Sequence, residues 1–78
     1  MRAIALTVSD FATAILENEI ILRHIDDGHV FRFPISSDGQ IDVQASRIEP
    51  NPGARREASA YLFDAHHAAL EAYQREQI

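Results

Sequence analysis

The chain has 78 residues, with twelve Asp and Glu against seven cationic side chains, all of them arginine, and no cysteine. That length holds one domain, residues 1–78, around one core. The missing cysteine excludes a disulfide framework, a thiolate metal site and a cysteine nucleophile, and the missing lysine excludes Schiff-base and Walker-type phosphate chemistry. A net charge of −5 argues against a duplex-binding protein, whose affinity rests on neutralising phosphates.

Ala3 to Val8 is too short for a signal-peptide core, and no apolar run approaches the roughly 18 residues of a membrane span. The expectation is a soluble, cytoplasmic protein, complete from its initiator methionine. In chain order, Ile4, Leu6 and Val8 alternate with Ala3, Ala5 and Thr7, which predicts a strand with one apolar face. Ser9 or Asp10 is placed to cap a short helix over residues 10–17, with Phe11, Ala14 and Ile15 at helical spacing. The β-branched content leaves an extended alternative open there.

Asp27-Gly28 is a hairpin signal. A two-residue turn would set Ile25 against Val30, His24 against Phe31 and Arg23 against Arg32. One face then collects Ile20, Leu22, His24, Phe31, Phe33 and Ile35, and the other Ile21, Arg23, Ile25, Val30 and Arg32. A three-residue loop at Ser37-Asp38-Gly39 pairs Ile35 with Ile41 and Phe31 with Ala45, completing a three-strand meander over residues 19–48. Asn51 and Pro52 suit the N-cap and first turn of a helix running to Gln77. Its Ala-rich stripe (Ala54, Ala58, Tyr61, Leu62, Ala65, Ala68, Ala69, Ala72 and Tyr73) predicts close packing on the sheet. The expected fold is α+β, a two-layer β-α-β-β-β-α sandwich with an antiparallel sheet and the long C-terminal helix on one face.

Chemistry-bearing constellations are thin. His66 and His67 are adjacent on a helix and diverge by about 100°, so they cannot chelate one ion together. His67 has Asp64 and Glu71 one turn away on either side, a ligand-compatible spacing that reads as a surface charge ladder. His24 points inward and needs a polar partner, for which Asp10 or a helix-end carbonyl is the candidate. His29 faces Asp26 across the turn. No phosphate-cradling loop, nucleophile elbow or calcium loop is present, so no catalytic residue, metal site or cofactor is assigned and the expectation is a non-enzyme.

Surfaces remain. The open sheet face carries Arg23, Arg32, Ile25, Val30 and Gln44, and the helix carries an acidic ridge of Glu57, Asp64 and Glu71 beside His67. Phe63 and Leu70 share a helix face at i,i+7. They extend the core over the first helix or form a homodimer seam, so the chain is expected as a monomer or homodimer.

The hairpin segment DDGHVFRFP and the helix EASAYLFDAHHAALEAY, within residues 19–73, resemble antitoxins of the HicB type, which implies neutralisation of a small ribonuclease toxin. Across its full length the chain is similar in size, acidity, lack of cysteine and layout to phage-encoded anti-CRISPR proteins. That resemblance implies a protein partner, a CRISPR effector subunit, whose nucleic-acid or nuclease engagement is blocked in the host cytoplasm. The leading expectation is therefore a protein-binding inhibitor of the anti-CRISPR kind, with a HicB-like antitoxin or another small binding module as the alternative.

Overall fold

Two tight turns fold the first part of the chain into consecutive hairpins. The computed structural model describes residues 4–77. Strand β1 (Ile4–Val8) turns at Ser9-Asp10 into β2 (Phe11–Ile15), which turns at Glu17-Asn18 into β3 (Glu19–His24). β4 (Val30–Pro34) and β5 (Arg47–Glu49) complete a five-stranded antiparallel meander in the order β1-β2-β3-β4-β5. A 3-10 turn over Ala58–Tyr61 leads into α1 (Leu62–Gln77), the single α-helix among the described residues, which packs on one face of the sheet. The fold is a small two-layer α+β domain.

The segment expected as a helix over 10–17 is strand β2. A helix that short is costly to nucleate. As a strand, the same residues bond to neighbours on both sides and bury Phe11, Thr13 and Ile15 on one face. Ser9, at φ 51°, takes the positive-φ position of the turn that allows this.

The β3–β4 hairpin keeps its predicted faces but not its predicted register. Its loop has four residues, Ile25 to Gly28, closed by His24 N–H to the His29 carbonyl at 2.8 Å. Leu22 therefore opposes Phe31, and Arg23 opposes Val30 rather than Arg32. A slip of two keeps the residues that remain in the strands on their original faces, so Ile20, Leu22, Phe31 and Phe33 are all fully buried as expected.

After the turn at Ser37-Asp38-Gly39, with Gly39 at φ 84°, Ile35 does meet Ile41. The chain then leaves the sheet. Asp42 accepts the Ala45 N–H at 3.2 Å, making a local turn. Pairing resumes with Phe31 opposite Ile48 instead of Ala45, which gives Phe31 a larger neighbour on the core side.

The long helix also starts later than Asn51-Pro52 indicates. Asn51 spends its side chain elsewhere: Nδ2 donates to the Asp27 carbonyl at 2.7 Å, and Oδ1 accepts the Gly53 N–H. From the 3-10 turn onward the stripe behaves as expected. Ala58, Ala65, Ala68, Ala69 and Ala72 are buried against Phe11, Phe31, Phe33, Ile20 and Leu22, small side chains letting the helix approach a sheet of large ones.

Candidate functional site

Polar groups converge where the β3–β4 loop meets the approach to α1. Asp27 folds inward to 7% exposure, His24 to 5% and His29 to 2%. The His24 Nδ1 accepts the Asp27 N–H at 3.1 Å, and its ring lies between the Tyr61 ring, stacked at 4.0 Å, and the edge of Phe11. His29 accepts the Asn51 N–H on Nδ1 at 2.9 Å and donates from Nε2 to the Arg56 carbonyl at 2.7 Å. Both bonds together require the neutral imidazole. The Tyr61 hydroxyl donates to the Asp27 carboxylate.

That hydroxyl, helped by the backbone N–H groups of Arg55 and Arg56, holds the Asp27 carboxyl below its ordinary pKa against the opposing effect of burial. The same bond, with burial, holds the Tyr61 phenol above its ordinary value. Gly28 is required here twice over. Its φ is +78°, and a Cβ would lie 2.8 Å from the Asn51 Nδ2. The sequence placed His24 inward correctly, but its partner is Asp27 rather than Asp10 or a helix end. His29 is a core residue and not a partner of Asp26. Nothing in the local pattern around Asp27 marks it as buried, because its donors lie about thirty residues downstream.

A cleft of about 440 Å³ opens over this cluster, lined by Asp10, His24, Arg56, Tyr61, Asp64, His67 and Glu71 among others. Three members of the expected helix set, Asp64, His67 and Glu71, thus share one wall. Glu57 is not with them; it precedes the 3-10 turn as an exposed residue. Glu71 pairs with Arg75 at 2.7 Å. Among the described residues no group of three or more His, Asp and Glu is arranged to hold a metal ion.

The second surface is the sheet face opposite α1. Its residues follow from the register: Ala5 and Thr7 on β1, Ala12 and Ala14 on β2, Ile21 and Arg23 on β3, Val30 and Arg32 on β4, Arg47 and Glu49 on β5. Small side chains over β1 and β2 leave a shallow groove of about 360 Å³ bordered by Ile21 and Arg23. Arg32 bonds Glu49 at 2.8 Å and lies 3.6 Å from Glu19, and these two carboxylates hold its guanidinium pKa above the ordinary value. They also relieve its position directly opposite Arg47. Arg23 and Arg47 have no ion-pair partner among the described residues.

Of the residues expected on this face, Arg23, Val30 and Arg32 are there. Ile25 is not: it sits in the β3–β4 loop, 48% exposed, its N–H bonded to the Asp10 carbonyl. Gln44 lies in the excursion between Ile41 and β5, also off the sheet. With no first helix to cover them, Phe63 and Leu70 stay exposed, Phe63 at 71% against the His67 ring. They do not extend the core. Arg47 is not placed on this face by alternation from the Ser37-Asp38-Gly39 turn; the later start of β5 brings it there.

No helix among the described residues is long and apolar enough to cross a membrane. Neither a protein-family model, nor a curated protein, nor a solved structure matches this chain.

Proposed function

We propose that this chain is a non-enzymatic, protein-binding inhibitor that docks through its open sheet face. The observation that carries the reading is the pairing pattern of three arginines on that face. Arg32 is neutralised in place by Glu19 and Glu49, while Arg23, beside Ala12, Ala14 and Ile21, and Arg47, opposite Arg32 on β5, have no ion-pair partner among the described residues. Two uncommitted guanidiniums on one sheet face, one of them beside small apolar side chains, suit a partner surface that is acidic and flat, since arginine binds carboxylates in a fixed bidentate geometry. Three of the groups suited to acid–base chemistry have structural partners: Tyr61 is bonded to Asp27, and His29 to two backbone groups, which supports a non-catalytic role for them.

In its most concrete form the activity is anti-CRISPR. The open face holds a CRISPR effector subunit, and the acidic wall of Asp10, Asp64 and Glu71 opposes a basic nucleic-acid groove. Mixing the purified chain with candidate effector complexes tests this. Co-elution and weakened target-DNA binding are expected, and unchanged DNA affinity without co-elution rejects the proposal. The HicB-like antitoxin is the second reading, favoured by the β3–β4 hairpin followed by a helix on the sheet. Failure to bind a small basic ribonuclease encoded beside it would remove that reading.

A further inference from the structure

The two edges of the sheet are not equivalent. β5 has three residues, Arg47-Ile48-Glu49, and is followed by Pro50. It is short, charged and proline-terminated, which is how edge strands are kept from pairing with other chains. β1, Ile4–Val8, carries no charge and no proline, and it pairs along all five residues with β2. Nothing among the described residues pairs with its outer edge.

The direction of its backbone groups follows from the register. Leu16 N–H bonds the Glu19 carbonyl, so the even-numbered residues of β2 bond toward β3 and Phe11, Thr13 and Ile15 bond toward β1. Their partners Val8, Leu6 and Ile4 therefore use their N–H and C=O groups inside the sheet. Those of Ala5 and Thr7 point outward.

We propose that two copies of this chain pair antiparallel through β1, across a two-fold axis at Leu6, to form one continuous ten-stranded sheet. The strand is self-complementary in that register. Ala5 of each copy exchanges hydrogen bonds with Thr7 of the other, and Leu6 meets its own counterpart in a close, non-hydrogen-bonded pair on the helix side. No like charges meet within the strand pair. Leu6 is only partly buried although it packs on the core, and its counterpart covers it. Helix α1 crosses the sheet with β2 beneath its centre and β1 and β3 on either side, and three strand spacings between the two β2 strands, about 14 Å, leave room for the two helices side by side. On the opposite face the groove over Ala5, Thr7, Ala12 and Ala14 continues across the axis. This pairing is independent of any partner on the open face.

Sedimentation velocity over a concentration series, with amide hydrogen exchange on the same samples, tests it. A monomer–dimer equilibrium is expected, with the Ala5 and Thr7 amides gaining protection as the dimer forms and the Leu6 and Val8 amides protected throughout. Thr7→Pro removes an outward N–H without touching a bond to β2, and it should weaken dimerisation by about tenfold or more. Ala5→Lys, which guards the edge and keeps every backbone group, should weaken it too. A monomer at every concentration overturns the proposal. So does a dimer in which Ala5 and Thr7 exchange freely, or one that survives both substitutions and is lost on Phe63→Ser with Leu70→Ser.

Discussion

The Tyr61 hydroxyl donates to the Asp27 carboxylate across 34 residues of sequence. This one bond joins the approach to the helix to the loop of the central hairpin, and it explains why the loop is longer than Asp27-Gly28 alone would indicate. In a two-residue turn Asp27 would sit at the solvent-exposed tip. In the four-residue loop it reaches Tyr61 and the backbone of Arg55 and Arg56.

The bond makes stability pH-dependent in both directions. Asp27 is held below the ordinary carboxylate pKa of about 3.9, so its contribution is present above that value and is lost as pH falls through the folded one. Tyr61 is held above the ordinary phenol value of about 10, so its contribution is complete below that value and is lost as pH rises through the folded one. Denaturant titrations across pH should show both limbs. Tyr61→Phe should lower the neutral-pH midpoint and flatten both, and an unaltered pH profile in that variant would contradict the assignment.

His29 is the second tie between loop and helix approach. His29→Leu leaves the Asn51 N–H and the Arg56 carbonyl without their partners and should cost about 2–4 kcal/mol in chemical denaturation. A loss under about 0.5 kcal/mol, the size of an ordinary surface substitution, would show the two bonds to be incidental.

Thr13 offers the opposite sign. Its Oγ1 is buried on the helix side of β2 without a hydrogen-bond partner. Thr13→Val replaces that hydroxyl by a methyl of similar size and should stabilise the fold by about 1 kcal/mol. A destabilised variant would mean that the hydroxyl is satisfied after all.

Gly28→Ala should destabilise by about 1–3 kcal/mol, because alanine is strained at φ +78° and its methyl would displace the Asn51 amide. Gly53, where an added methyl would meet only ordinary contact at 3.8 Å, supplies the control and should be nearly neutral to the same change.

Side-chain faces were far more legible in the sequence than pairing registers. Alternation placed Leu22, His24, Phe31 and Phe33 inward, and it survived a two-residue slip of the hairpin because such a slip preserves parity. The slip itself was invisible locally, since the groups that lengthen the loop are Asn51 and Tyr61. The same cause delayed the helix: an Asn-Pro pair reads as a cap, yet Asn51 is held by Asp27. Five residues from Phe11 to Ile15 fit either period, and only the neighbouring strands decide between them. On the candidate surface, Arg23, Val30 and Arg32 were legible from alternation, whereas Arg47 depended on where the chain rejoins the sheet.

The open face is tested most directly by charge reversal at its two unpaired arginines. Both are exposed and make no ion pair among the described residues, so Arg23→Glu with Arg47→Glu should leave the fold intact. The decisive measurement is target-DNA affinity of a CRISPR effector complex titrated with the wild-type chain and with this double variant. The account predicts that the wild type co-elutes with the complex and weakens DNA binding, and that the folded double variant does neither. Unchanged DNA affinity with the wild type, or equal inhibition by the double variant, would contradict it.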